Sequence, residues 1–132
     1  MKPLHLHSYN DYTPTVHLDA GTGILHFSGT CLMRHIWQVS CPVLEWTNNY
    51  LATKPKQTTV VLNLDRFNVV TTKFLWNFLR KLEEYYEASG NQVILYWNFD
   101  LADLEMQQIL EEFQQAFSFP VKHTSLVAIE VA

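Results

Sequence analysis

The chain reads as a single-domain α/β protein, a mixed sheet covered by amphipathic helices, and three observations carry that reading. Two short β-branched and apolar runs, Thr59-Val60-Val61-Leu62-Asn63-Leu64 and Gln92-Val93-Ile94-Leu95-Tyr96-Trp97, are each followed by a segment of helical period. Residues 15 to 29 hold two alternating runs about Asp19-Ala20-Gly21-Thr22-Gly23, the pattern of a β-hairpin. A length of 132 residues suits one core and is too short for two ordinary domains, so residues 1–132 are taken as one unit.

The elements follow in order. Leu4-His5-Leu6-His7 and Thr15-Val16-His17-Leu18 alternate and predict short strands with one polar face, towards the edge of the sheet. Ile24-Leu25-His26-Phe27-Ser28-Gly29 completes the hairpin, and Gly29-Thr30 ends it. Ile36, Val39, Val43, Trp46 and Tyr50 recur at helical spacing, but a proline inside a helix removes a hydrogen bond and crowds the preceding turn. Pro42 therefore predicts a helix from about Cys41 to Leu51, preceded by an irregular or short helical piece. The run 59–64 is near-continuous, as in a strand covered on both faces. After Phe67-Asn68 the period changes. Leu75, Phe78, Leu79, Leu82 and Tyr86 mark a long helix with Lys73, Asn77, Arg80, Lys81 and Glu84 on its wetter side, closed at Ala88-Ser89-Gly90. The run 92–97 lies between two helices, which predicts a parallel neighbour of 59–64. Leu104, Ile109, Leu110, Phe113 and Phe117 mark a third helix that Ser118-Phe119-Pro120 stops, and a last strand is expected around Ser125 to Ile129. In such a sheet the carboxyl ends of the parallel strands form the functional rim.

Composition excludes several classes. The chain is 48% apolar and 14% aromatic, which rules out disorder, and its apolar runs are too short to span a bilayer. Met1-Lys2-Pro3-Leu4-His5 has no export signal, so a cytoplasmic protein is expected. Net charge is −4 and the basic residues are dispersed, which argues against a nucleic-acid footprint. Cys31 and Cys41 form no C-x-x-C pair and read as reduced and structural. His5 and His7 share a strand face, and His17 and His26 approach across the hairpin, but no Cys or carboxylate stands with them at ligand spacing; no metal and no cofactor are expected. No nucleophile elbow, phosphate-cradling loop or zinc-protease helix occurs. Glu45, Glu83, Glu84, Glu111 and Glu112 fall on helices as solvated faces, and Trp46, Trp76 and Trp97 suit the core, whereas Trp37 has no evident place.

The junction 68–72 is a strand-to-helix turn, where unpaired N–H groups make an anion site. Asn68, Thr71 or Thr72 serves more simply as a helix cap there. Several segments together resemble one family. They are Gly23-Ile24 with Phe27-Ser28-Gly29, Pro42-Val43-Leu44-Glu45-Trp46 with Tyr50-Leu51, and Phe67-Asn68 followed by Lys73. Leu82-Glu83-Glu84, Tyr96-Trp97-Asn98-Phe99-Asp100 and Phe119-Pro120 extend the match over most of the chain. The chain is similar to the SiaC-type regulatory phosphoproteins, bacterial adaptors with a fold like that of STAS-type anti-sigma-factor antagonists. The resemblance implies a non-enzymatic switch that binds and activates a diguanylate cyclase when unphosphorylated, with output in cyclic di-GMP and biofilm behaviour. It also implies control by an anti-sigma-like Ser/Thr kinase and a PP2C-like phosphatase.

In the family the acceptor is a Thr directly after the Asn of the turn, and the matching position here is Val69, which has no hydroxyl. Thr71 and Thr72 match later hydroxyl positions and stand as phosphorylation candidates. The expected partner surface comprises Asn68, Val69, Val70, Thr71, Thr72 and Lys73 with Asn98, Phe99 and Asp100, two segments that leave parallel strands and should lie close together. The competing class is a small-molecule-binding or enzymatic α/β domain.

Overall fold

The computed structural model describes residues 1–124. It contains β1 (Leu4–Leu6), β2 (Thr15–Asp19), β3 (Ile24–Cys31), α1 (Trp37–Ala52), β4 (Gln57–Phe67), α2 (Val69–Ser89), β5 (Gln92–Asn98), α3 (Leu104–Ala116) and β6 (Val121–Thr124). The expected strand around Ser125 to Ile129 lies outside the described residues. One six-stranded sheet runs in the order β1-β2-β3-β4-β5-β6. The first three strands pair antiparallel and the rest parallel, so the hairpin is the antiparallel edge, as expected. The runs 59–64 and 92–97 are adjacent parallel strands, with Thr59 opposite Ile94 and Leu62 opposite Trp97.

All three helices cover the same face. Each joins a strand to its immediate parallel neighbour, always stepping in the same direction across the sheet. Crossovers of one hand and one direction place every helix on one side. A single core cluster results, in which Leu25, Phe27, Val60, Leu62, Leu95 and Trp97 of the sheet meet residues of all three helices. The intervening residues Ile24, His26, Thr59, Asn63, Ile94 and Tyr96 are only half-buried. The strand 59–64 is therefore not covered by helices on both faces. Its open-face valine, Val61, is nonetheless 1% exposed, and it stands between His26 and Tyr96 in register.

Two other sequence expectations are corrected. Helix α1 starts at Trp37, not near Cys41, and runs through Pro42. Pro42 deprives the Gln38 carbonyl of a donor, but buried Val39 and Val43 seat both adjoining turns on the core, and tertiary packing overrides the local penalty. Strand β3 does not end at Gly29-Thr30. Gly29 takes φ +87° at a bulge, the register skips Asp65, and pairing resumes from Thr30 opposite Arg66 to Cys31 opposite Phe67.

Local devices fix the layers. Gly23 has φ +70°, its carbonyl accepts the Thr59 N–H at 2.7 Å, and a Cβ there would stand 2.4 Å from the Gln57 carbonyl oxygen. Tyr50 of α1 and Thr58 of β4 share a buried hydroxyl hydrogen bond of 2.8 Å. Glu83 of α2 accepts from Arg80 and from the Ser118 N–H, tying α2 to the chain after α3. Burial alone would raise the Glu83 pKa, but these two donors outweigh it and hold it below the usual range.

The open face carries a row in register from His5 through His17, His26, Val61 and Tyr96 to Lys122. The His5 and His17 rings meet edge-on with centroids 5.0 Å apart, and His7 lies 4.0 Å from His5. The Nε2 atom of His26 is buried without a hydrogen-bond partner. Burial first and His17 second lower its pKa from 6.5. Its titratable neighbours on this face are His17 opposite and Asp19 diagonally across β2.

Two outcomes follow for stability. Leu62→Asp should abolish folding, because a buried carboxylate costs several kcal/mol of a total of about 5–15 kcal/mol, whereas Ile94→Asp on the open face should fold and melt cooperatively. Thermal melts by circular dichroism check this, and equal damage from the two would contradict a one-sided core. For His26, the folded state resists the proton, so stability is complete above the ordinary pKa of 6.5 and declines as pH falls below it. The loss in Tm from about pH 7.5 to about pH 5 should be smaller in His26→Gln than in the parent chain. An identical loss in both would show that His26 does not contribute.

Candidate functional site at the carboxyl rim

Strand β4 is longer than its neighbour β5 at the carboxyl end, and this sets the geometry of the rim. Leu62 pairs with Trp97, so Asn98 is level with Asn63, and the Asn98 amide donates to the Asn63 side-chain oxygen at 2.7 Å. Asn68 lies five residues further along the chain, about 16 Å at strand rise. Pairing with β5 stops at Leu62 while β4 runs on, yet the ring of Phe67, next to Asn68, lies 6.0 Å from that of Trp97, next to Asn98. At the height of 68–73 stands the end of β3, where Cys31 pairs with Phe67.

That neighbour holds the start of α2. Asn68 is extended, with φ −115° and ψ −177°, and its Oδ1 accepts the Thr71 N–H at 3.0 Å. Its amide donates to the Met33 carbonyl at 3.4 Å. The Thr71 hydroxyl donates to the Cys31 carbonyl at 2.8 Å and lies 3.0 Å from Asn68 Oδ1 and 3.2 Å from the Cys31 sulfur. The Thr72 hydroxyl and N–H both donate to the Asn68 carbonyl, at 3.1 and 3.0 Å. Asn68 thus takes up the N–H groups of Thr71, through its side-chain oxygen, and of Thr72, through its carbonyl.

Exposure divides the turn. Thr71 is 1% exposed, whereas Val69 is 70% and Val70 37% exposed. Lys73 lies one turn further on, also exposed. Of the nine residues expected at the site, Val69, Val70 and Lys73 face solvent at the turn, Asn68 and Thr72 are half-buried, and Thr71 is interior.

The second segment is occupied with turn-making. The Phe99 carbonyl meets His123 Nε2 at 2.7 Å and its ring packs against the same imidazole. Asp100 accepts the Ala102 N–H at 2.9 Å, and Asp103 caps α3 through the Met106 N–H at 3.1 Å. These carboxylates border a shallow cavity with Asn63, Asp65 and Asn98. The rim is acidic here.

On the other side of the turn the chain exposes residues that sequence reading did not select. Tyr9, Tyr12 and Trp37 are 67%, 59% and 58% exposed. Trp37 gave a signal by fitting no buried position, but nothing local marked Tyr9 and Tyr12, whose placement depends on a contact 20 residues away in sequence, the Leu32 N–H donating to the Tyr12 carbonyl at 2.9 Å.

Chemically the rim offers little for bond-making. Burial pushes the Cys31 thiol up, although hydrogen bonds from Thr71 and the Met33 backbone partly offset it. Among the described residues no group of three or more His, Cys, Asp or Glu is arranged to hold a metal ion, and no helix is long and apolar enough to cross a membrane. What the rim presents is an exposed apolar turn on a rigid frame, an arrangement suited to binding.

Comparison with known proteins agrees in fold and over nearly the whole length. The chain matches the family described as SiaC family regulatory phosphoprotein over residues 8–126. A curated relative, an uncharacterised protein of Pseudomonas aeruginosa strain UCBPP-PA14, is 27% identical over 120 residues, covering 91% of this chain and 94% of the relative. The crystal structure of apo-SiaC from Pseudomonas aeruginosa superposes with a TM-score of 0.86 at 26% identity, covering 95% of this chain and 100% of that one. The structure of diguanylate cyclase SiaD in complex with its activator SiaC, from the same species, matches with a TM-score of 0.83 at 25% identity, over 92% of this chain and 99% of that one. With the family matched over residues 8–126, the chain belongs to the SiaC family of regulatory phosphoproteins.

Proposed function

We propose that this protein is a non-enzymatic adaptor of the cytoplasm that binds and activates a diguanylate cyclase through the start of α2. The observation that carries the reading is the outward-facing pair Val69-Val70 on a turn whose Asn68 and Thr71 side chains are bonded to one another and to the end of β3. Its likeness to a SiaC solved with the cyclase that it activates supplies the partner class. An exposed aliphatic pair held by a rigid cap fits a contact surface, because burying it against a partner removes apolar area from water without ordering a loose segment.

The same turn bears on regulation. A phosphate brings a charge of about −1.5 to −2 and would change such a surface sharply. In this chain the position after Asn68 is Val69, and the two candidate hydroxyls are already engaged. Modification of Thr71 would require the cap to open and the Cys31 carbonyl to lose its donor. Thr72, half-buried, points its hydroxyl back along the helix to Asn68. The adaptor thus stays in its partner-binding state, and a family kinase and phosphatase would act on it only after opening of the turn.

Calorimetric titration with the SiaD-like diguanylate cyclase of the same genome tests the reading. The parent chain should bind and raise cyclase turnover, and Val69→Asp should weaken binding at least about tenfold, equivalent to about 1.4 kcal/mol, with an unchanged melting temperature. Unaltered affinity in Val69→Asp would move the interface away from the turn.

A further inference from the structure

We infer that the partner surface continues from the start of α2 over the β3–α1 connection onto the β1–β2 segment. It forms an aromatic and cationic face that takes a protein segment carrying apolar side chains flanked by carboxylates. The inference rests on the reading of the α2 turn as the partner site and adds residues, direction and partner chemistry to it.

Apolar exposure is concentrated on this side. Tyr9, Tyr12, Trp37, Val69 and Val70 are five of the eight large hydrophobic residues exposed among those described. Trp37 and Val69 are the first residues of α1 and α2, and these helices follow parallel neighbours, so both sit at the same end of the sheet. Tyrosine, tryptophan and arginine are the residues that dominate binding energy at interfaces.

The face is also held in place. The Asn68 amide bonds the Met33 carbonyl, and the Leu32 N–H bonds the Tyr12 carbonyl. The Tyr9 hydroxyl donates to Gln38 Oε1 at 2.9 Å, while the Tyr9 N–H donates to the Thr13 hydroxyl at 2.9 Å. Asn10 Oδ1 accepts the Tyr12 N–H at 2.8 Å. Three separate segments are thus bonded edge to edge, and a surface built in advance loses little conformational freedom on binding. Between the 9–13 segment and the β3–α1 connection lies an open cavity of about 570 Å³ whose lining includes Tyr9, Tyr12, Met33, Arg34 and His35.

Charge selects the partner and its direction. No residue lining this cavity is acidic, and Arg34 lies within it. Lys73 adds a second cation beside Val69 and Val70, one helical turn along. Asp11, exposed in the same 9–13 segment but outside the cavity lining, is the one carboxylate of these three segments, so Arg34 and Lys73 outnumber it on a chain of net charge −4. The only ion pair among the described residues, Arg80 with Glu83, is elsewhere. The opposite half of the rim exposes Leu101 and Leu104 in a stretch that carries Asp100, Asp103 and Glu105, and the cavity that Asp103 and Glu105 border also holds Asp65 and one cation, Arg66, so carboxylates outnumber cations there. A carboxylate-flanked segment is attracted to the first half and repelled by the second.

The test is the same cyclase titrated against Trp37→Ala, Arg34→Glu and, as a control on the acidic half, Leu104→Ala. These side chains are exposed, and melts of each variant verify the fold. Trp37→Ala and Arg34→Glu should each weaken binding at least about tenfold, and Leu104→Ala less than about twofold. Added salt should weaken the parent complex more steeply than that of Arg34→Glu. Binding by the parent chain with undiminished affinity in both Trp37→Ala and Arg34→Glu overturns this surface alone and leaves the adaptor reading standing. A loss confined to Leu104→Ala places the partner on the acidic half and also overturns it. No binding by the parent chain contradicts the adaptor reading and this surface with it.

Discussion

The junction of β4 and α2 depends on one bonded knot, in which Asn68 and Thr71 tie the first turn of α2 to the end of β3. Asn68 caps the helix and reaches Met33, while the buried Thr71 hydroxyl meets the Cys31 carbonyl at 2.8 Å. A cap contributes about 1 kcal/mol and a typical internal hydrogen bond about as much, so the knot is a sizeable share of a stability of about 5–15 kcal/mol. Its larger effect is on orientation. With both polar side chains drawn inward, Val69 and Val70 have only solvent to face, and the surface read as functional is a consequence of what holds the fold.

The knot is possible only because β3 and β4 extend together beyond β5. The bulge at Gly29 restores their pairing as far as Cys31 and Phe67, which brings the β3 carbonyls up to the height of the turn. The one-directional order of the parallel strands completes the frame. It gathers the amino ends of all three helices at one rim and leaves the far face of the sheet without helices, where the histidine row lies.

Much of this was legible in the residues. The hairpin followed from Gly21 and Gly23 between alternating runs, the β4–β5 pairing from two apolar strands separated by one amphipathic helix, and the α2 limits from Asn68 and Gly90, the caps observed. The start of α1 was not, because a local penalty at Pro42 was weighed without the core contacts of Val39 and Val43. The continuous run of β4 suggests cover on both faces, yet Thr59, Asn63 and Ile94 face an open side, because the strand order that sends every crossover the same way is set by tertiary pairing and not by the element order. At the site, the sequence offered Asn68, Thr71 or Thr72 as the cap; the fold makes it Asn68 and draws Thr71 to the Cys31 carbonyl, a contact 40 residues away in sequence. The exposed Tyr9, Tyr12 and Trp37 come together only through long-range hydrogen bonds, which no local pattern records.

This SiaC-family chain has an exposed valine after the capping asparagine, where the family resemblance implies a modifiable hydroxyl. The central claim is that this end of the rim, rather than the open sheet face, meets the cyclase. Hydrogen–deuterium exchange of the chain with and without its cyclase tests this most directly. The account predicts slowed exchange in residues 9–13, 32–38 and 68–73 and unchanged exchange in β2 and in the amino-terminal half of β3. Protection confined to β2, β3 and β5, with none in 68–73, would contradict it.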